Sequence, residues 1–298
     1  MVSKSPRVVL VTRPTVYEKL LERHATLGQV KFFLEQRGQY IETVLELHNL
    51  VEAAIREVES AIPSSWRRNR VARTNLDRFL FEPEDIVVAV GQDGLVANMA
   101  KYLNGQPVIG INPCPDQNPG ILVPHPPERI EKLLEGLEVG NVQVEKRTMV
   151  EAKLDDGQRL LGLNEIFIGH QTHQSARYRI RVEDQEERQS SSGIIVATGT
   201  GATGWARSIQ RERASKITLP GPTDPSLAFF VREAWPSIAT GTTITEGLIG
   251  NNVSFHVVSE MDDGGVVFGD GIEKDRIEVL WGQRVEIKVA DVQLHLVS

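Results

Sequence analysis

Residues Ile86 to Leu103 constrain the fold more than any other stretch of the chain. Ile86-Val87-Val88-Ala89-Val90 is a short apolar run rich in β-branched residues, the pattern of a buried strand. From Leu95 the pattern turns helical, with Leu95, Met99, Tyr102 and Leu103 spaced to share one face. Gly91-Gln92-Asp93-Gly94 joins the two. A strand, a glycine turn and a helix N-terminus make an anion site, because free backbone N–H groups and the helix dipole point at the turn. The glycines let a phosphate approach the backbone closely. Asp93 does not suit a bare anion site, since its charge repels phosphate. It suits a site where a metal ion lies between them, or one where it removes a proton from a nucleophile. The simpler alternative is that Asp93 caps the helix.

The 298 residues are enough for two domains with cores of their own. A hydrophobic content of 40% and a charged content of 24% are ordinary for a soluble globular protein. The formal net charge of −7 disfavours nonspecific binding to nucleic acid or to a membrane surface. Cys114 is the one cysteine, so no internal disulfide forms, which fits a reducing compartment. Met1-Val2-Ser3-Lys4-Ser5-Pro6 does not read as a secretory signal. No apolar run approaches the roughly 20 residues of a membrane helix. These features predict a cytoplasmic protein.

Arg7–Thr12 reads as a first strand. Residues 15–37 have helical spacing, as do residues 42–61, which stop at Pro63. Trp66 to Arg73 is locally basic and reads as a solvated face, with phosphate contact as the alternative. Pro107–Ile111 is another strand, followed by a proline-rich loop from Asn112 to Gly120. Strands alternating with helices imply a doubly wound parallel sheet, with ligands at the carboxyl ends of strands, near Gly91–Gly94 and Asn112.

After about Pro127 the character changes. One helix, residues 128–137, precedes many short strand-like segments: 142–146, 148–154, 159–168, 178–182, 193–198, 242–249, 252–258, 266–268, 276–280, 285–289 and 293–297. Asp155-Asp156-Gly157 and Asp262-Asp263-Gly264-Gly265 read as hairpin turns. The predicted class is therefore α/β plus β: a doubly wound α/β domain over residues 1–127, then a β-rich, sandwich-like domain over residues 128–280.

Several motifs carry chemistry. Asn164-Glu165 puts two polar residues inside a strand-like run, where burial without partners is costly. Asn can read an amide or base edge, and Glu can accept from ribose hydroxyls; a strand end facing water is the alternative. Thr198-Gly199-Thr200-Gly201-Ala202-Thr203-Gly204-Trp205 follows the strand Ile194–Ala197 and contains G-x-G-x-x-G. Its flanks read as antiparallel and Asp224 sits in a proline-rich loop, so it is no Rossmann fingerprint. It remains a small-residue turn suited to lie against a ligand. His170 and His173 lack an evident third metal ligand. Asp270 lies in Gly269-Asp270-Gly271, either a ligand-facing turn or a hairpin. There is no G-x-x-x-x-G-K-[ST] P-loop, and Ser208 has no G-x-S-x-G context for acyl chemistry.

In this order, the motifs over about residues 80–298 resemble those of the NAD kinase family, within the larger NAD kinase/diacylglycerol kinase-like superfamily. Gly91-Gln92-Asp93-Gly94 matches its Gly-Gly-Asp-Gly turn, Gly110-Ile111-Asn112 its Gly-Ile-Asn, and Asn164-Glu165 its Asn-Glu pair. Thr198–Trp205 matches its Thr-Pro-Thr-Gly-Ser-Thr-Ala-Tyr segment, and Asp270-Gly271 a late Asp-Gly. Gln92 stands for a glycine, Gly199 for proline, Trp205 for tyrosine, and Ser192-Gly193 for an Asp-Gly whose aspartate helps bind the acceptor. Residues 24–80 have no clear counterpart in the family.

The resemblance implies an ATP-dependent kinase of a ribose or sugar hydroxyl, with NAD converted to NADP. It implies Mg²⁺ or another divalent metal, and a tail, residues 281–298, returning to the first domain. Asp93 is then the catalytic base or the metal partner; Gly91, Gln92, Gly94 and Asn112 lie at the nucleotide phosphates. Asn164, Glu165, Thr198, Thr200, Gly201, Thr203, Gly204 and Trp205 hold the acceptor, with Asp270 nearby. Partners are the small molecules ATP and NAD or a sugar, with no nucleic acid and no membrane, and a homo-oligomer is implied. The alternatives are a sugar kinase, or a catalytically silent nucleotide-binding regulator on the same fold. A lipid kinase is disfavoured by the absence of a basic amphipathic helix.

Overall fold

The computed structural model describes residues 5–251, 253 and 255–298. The chain divides into two units, one running through Glu145 and including His295–Ser298, the other Lys146–Leu294. Met1–Lys4, and Asn252 where a strand is predicted to start, lie outside the described residues.

The first unit contains β1 (Arg7–Thr12), α1 (Val16–His24), α2 (Leu27–Glu35), α3 (Ile41–Ala61), β2 (Arg67–Ala72), β3 (Asp85–Val90), α4 (Asp93–Ala100), β4 (Pro107–Ile111), α5 (Ile130–Glu138) and β5 (Val144–Arg147). Its sheet has the order β2-β1-β3-β4, then the C-terminal strand Leu294–Val297, then β5. β1 pairs in parallel with β2 and β3, β3 with β4, and β4 with the C-terminal strand. Val8, Leu10, Ile86, Val88 and Ile109 pack with Ile55 and Val58 of α3 and with Ile130, Leu133 and Leu134 of α5. The alternate residues Val9, Val11, Val87 and Ala89 are buried as well, so the sheet is covered on both faces. Each fully buried Ile, Leu or Val contributes about 1.5–3 kcal/mol.

Two expectations are corrected here, and a third gains an element. The run 15–37 forms two helices: Ala25 adopts φ +63°, and Thr26 caps α2 through Gln29 N–H at 3.3 Å. The apolar spacing continues across this break, so periodicity does not reveal it. The basic stretch after Trp66, read as a solvated face, does expose Arg68, Asn69 and Arg70, and it does so as an edge strand, β2, paired along its length with β1. The change of unit falls at Glu145 rather than Pro127, because α5 buries its apolar face in the first unit's core.

The second unit contains β6 (Val150–Leu154), β7 (Arg159–Gly162), β8 (Glu165–His170), β9 (Ala176–Val182), β10 (Gln185–Ser191), β11 (Ile194–Ala197), α6 (Trp205–Glu212), β12 (Ser226–Val231), β13 (Glu246–Gly250), β14 (Phe255–Ser259), β15 (Gly265–Gly269), β16 (Ile277–Glu278) and β17 (Arg284–Val289). Two six-stranded sheets form, β10-β9-β14-β17-β6-β7 and β13-β12-β11-β8-β15-β16. Ile166, Ile168, Val196 and Phe229 of one sheet meet Tyr178, Ile180, Phe255 and Ile287 of the other in a common core. This is a β-sandwich. The outer face of the second sheet, with Phe167, Ile195 and Phe230, is covered by Ala206 and Ile209 of α6.

β10, β12 and α6 are additions to the predicted elements. The segment 159–168 is two strands, broken at Leu163 and Asn164. Asp155–Gly157 does connect a hairpin, β6–β7. Asp262–Gly265 does not, because β14 and β15 belong to different sheets. The returning tail is shorter than 281–298: β17 pairs with β14 and β6, and only His295 and Leu296 pair with β4.

Candidate functional site

In the first unit, β3 ends at Val90 and α4 begins at Asp93, so the turn is only Gly91 and Gln92. Gly91 has φ +153°, which residues with a side chain rarely adopt. Gln92 is the N-cap residue of α4, yet its side chain makes no capping bond. Its Oε1 instead accepts a hydrogen bond from Nη2 of Arg13, just beyond β1.

Asp93 does not cap its own helix either. Its Oδ1 accepts the backbone N–H groups of Leu122 at 2.8 Å and Val123 at 3.2 Å, and its Oδ2 accepts that of Ile121 at 3.0 Å. An ionised carboxylate has about four acceptor positions. Three are filled by the loop, which leaves one on Oδ2 of a half-buried side chain. The carboxylate is oriented by the backbone and keeps one acceptor position for a hydroxyl or a cation.

The loop reaches Asp93 because β4 has a glycine beneath it. A Cβ at Gly110 would sit 2.0 Å from the carbonyl oxygen of Leu122. Asn112, predicted at the phosphates, uses its carboxamide within its own loop: Nδ2 donates to Asn118 O at 2.7 Å, and Oδ1 accepts from Cys114 N–H at 3.0 Å. Gly94 lies exposed in the first turn of α4. Beside Gly91 and Gln92 is a cavity of about 240 Å³.

The second unit repeats the device. Asp270 follows β15 in a left-handed conformation, φ +53°. Its Oδ2 accepts the N–H of Leu163 at 2.9 Å, and its Oδ1 those of Asn164 at 2.6 Å and Glu165 at 3.3 Å. The break between β7 and β8 is thus held by one carboxylate. Thr198 ties the next strand to it: Thr198 N–H donates to Asn164 O at 2.9 Å, and its hydroxyl donates to Leu163 O. That hydroxyl also accepts from Thr200 N–H at 3.1 Å and Gly201 N–H at 3.3 Å. Gly201 packs so tightly that a Cβ would lie 2.1 Å from Asn164 O.

Asn164, Glu165, Thr198, Thr200 and Gly201 are therefore one cluster around Asp270. Burial, and the charge of Asp270 after it, push the Glu165 carboxyl up to about 7. Thr203 bonds Thr200 O at 3.2 Å, and Gly204 precedes α6. Trp205 stands apart from the cluster's hydrogen bonds. It stacks on Phe167 with ring centroids 6.1 Å apart, and the Arg232 guanidinium lies 5.1 Å from its centroid. With Ser192, His170 and His173 these residues line a cavity of about 390 Å³. No group of three or more His, Cys, Asp or Glu side chains is placed to hold a metal among the described residues.

Arg13 and the backbone of Ile121–Val123 escaped the sequence reading. An arginine directly after a strand of the parallel sheet was the available signal for the first; backbone donors leave no signal in side-chain identity.

No family model matches the chain. It is 28% identical over 256 residues to the mitochondrial NAD kinase 2 of Homo sapiens, across 69% of this chain and 58% of the human protein. It is 30% identical over 127 residues to the NAD kinase of Chlorobaculum tepidum, across 42% of this chain and 44% of that one. The chain spans less than two thirds of the length of these curated relatives. Among solved structures it resembles an NAD kinase from Archaeoglobus fulgidus in complex with ATP, with a TM-score of 0.59 at 19% identity, covering 98% of this chain and 93% of that one. It also resembles yeast NADH kinase complexed with NADH, with a TM-score of 0.63 at 13% identity, covering 99% and 84%.

The α/β unit and the β-sandwich thus make up a fold shared with NAD and NADH kinases. In sequence the chain is similar to NAD kinases at 28–30% identity, and in fold to solved NAD and NADH kinase structures. No helix among the described residues is long and apolar enough to cross a membrane.

Proposed function

We propose that this protein is an ATP-dependent kinase of the 2′-hydroxyl of the adenosine ribose of NAD, forming NADP. The observation that carries this reading is the Asp93 carboxylate, held by three backbone N–H groups with one acceptor position left on Oδ2. In this role Oδ2 takes the hydroxyl proton, the ribose oxygen bonds to the γ-phosphorus, and the bond to the departing ADP oxygen breaks. Phosphoryl transfer suits so sparse a site, since positioning and charge neutralisation supply most of the catalysis.

In the second unit, Asn164 and Glu165 bind the acceptor's adenine and ribose, supported by Thr198 and Asp270. Mg²⁺ is commonly held by one or two carboxylates together with substrate phosphates; with the remaining Asp93 position taken by the hydroxyl in this role, a divalent metal would be held through the nucleotide phosphates. When bound, it would neutralise charge on the transferring phosphoryl group.

Purified protein given ATP, Mg²⁺ and NAD should produce NADP. Absence of turnover with NAD and NADH would sink the reading. Ser192, where the family resemblance implies an aspartate, favours a second reading in which another ribose or sugar is the acceptor. Product appearing only with a nucleoside or sugar panel would select it.

A further inference from the structure

The cavity beside the Gly91–Gln92 turn has an unusual charge for this protein. The chain carries a net charge of −7, yet the residues lining the cavity include Arg13 and Lys19 and, among the described residues, no acidic side chain. It lies beyond the carboxyl ends of β1, β3 and β4, where doubly wound sheets bind ligands. Arg13 is half-buried and has no carboxylate partner among the described residues; its charged neighbour is Arg73. Burial first, and Arg73 second, hold the Arg13 pKa below its usual value. A half-buried guanidinium lining a cavity without a carboxylate partner makes a place that an anion stabilises.

Gln92 gives this place its geometry. The family resemblance implies glycine there, and the added side chain points its amide oxygen at the Arg13 guanidinium. That bond restrains a long side chain that would otherwise lose more freedom on binding an anion. The helices between β1 and β2 complete the wall: α1 supplies Lys19, and α3 supplies Val44, Leu47 and His48.

We propose that Arg13, oriented by Gln92 as a positioning residue, binds the polyphosphate of the nucleoside triphosphate donor in this cavity. The assignment rests on the phosphoryl-transfer reading above and adds to it the residues that hold the donor. It gives Gln92 a purpose and gives the helical region a share in donor binding.

Calorimetry with ATP and with inorganic triphosphate tests this on the wild-type protein and on Arg13→Gln, Arg13→Lys, Gln92→Gly and the Arg13→Gln/Gln92→Gly double variant. Arg13→Gln is expected to weaken both ligands by about tenfold or more, as loss of a charge-assisted contact does. Arg13→Lys should restore part of the affinity. Gln92→Gly should weaken binding less, and should add nothing once Arg13 is gone, since the two act through one contact. In turnover, KM for ATP should rise in the variants while KM for NAD stays put. Thermal unfolding checks that each variant is folded. Unchanged triphosphate affinity in folded Arg13→Gln, or equal effects of Gln92→Gly with and without Arg13, would overturn the proposal. A wild-type protein that binds triphosphate through Arg13 but never makes NADP would instead refute the kinase reading and leave the anion site standing.

Discussion

Asp270 accepts the backbone N–H of Asn164 at 2.6 Å from a position whose own backbone is left-handed, φ +53°. Leu163 and Glu165 donate to the same carboxylate. Asp93 does the equivalent in the other unit for Ile121, Leu122 and Val123. In both cases an aspartate beyond a strand end gathers three successive backbone N–H groups; at Asp270 the third comes from Glu165, the first residue of β8. Buried N–H groups need such partners, and an ionised acceptor serves three of them with one side chain.

Replacing Asp270 by Asn keeps a residue that tolerates the left-handed conformation and removes the charge. Asp270→Asn should lower stability by about 1–3 kcal/mol, measured by urea unfolding. It should also lower the Glu165 pKa, because Asp270 is one of the causes that raise it. An unchanged Glu165 titration by NMR would contradict this.

Glu165 sets a pH dependence of definite sign. Its folded-state pKa of about 7 lies above the ordinary 4.5, so the folded protein holds this proton more tightly than the unfolded chain. Stability from this group is fully present below about 4.5 and is lost as pH rises through 7, at up to about 1.4 kcal/mol per pH unit. Glu165→Gln should flatten that decline between pH 5 and pH 8 in denaturation experiments. A wild-type profile that rises with pH as steeply as the variant's would exclude the assignment.

Asp93→Asn tests the base directly. Turnover of NAD should fall by about 10²–10⁴-fold while ATP still binds. A modest fall in melting temperature should accompany it, because an amide replaces the acceptor for three N–H groups. Full activity in this variant would remove Asp93 from the chemistry.

Gly110→Ala tests the loop without touching the carboxylate. The new methyl group would sit 2.0 Å from Leu122 O and 2.6 Å from Val123 Cα, both backbone atoms. The loop must move, at a cost of about 1–3 kcal/mol, and the donors to Asp93 move with it. Reduced kcat with Asp93 intact is the expected result; a folded variant with unaltered kcat would show that loop-borne orientation of Asp93 does not matter.

The sequence made the parallel strands legible, since Ile86–Val90 and Pro107–Ile111 have no other use for so much branched apolar surface. It also exposed Asp93, Asn164 and Glu165, because charged or amide side chains beside apolar strands ask for an explanation. It did not expose what holds them. The partners of Asp93 and Asp270 are backbone groups, and which backbone reaches a carboxylate depends on Gly110 and on the break at Leu163, not on a motif. β10 was hidden because Gln185-Glu186-Glu187-Arg188 is polar and still pairs fully with β9. α6 was hidden because its glycine-rich approach reads as a turn between antiparallel strands.

The C-terminal strand Leu294–Val297 sits between β4 and β5, and Ser298 N–H donates to Gln143 O at 3.0 Å. An interior strand of the first unit is therefore made after every residue of the second. Until it arrives during synthesis, β4 presents an unpaired inner edge and His125 lacks its contact with Val297 O at 3.0 Å. A ribosome-bound intermediate ending near Glu145 holds most of the α/β core with an open seam in its sheet, the kind of edge that recruits foreign strands. Chaperone dependence should peak in that window, and a cut before Leu294 should harm the beginning of the chain more than its end.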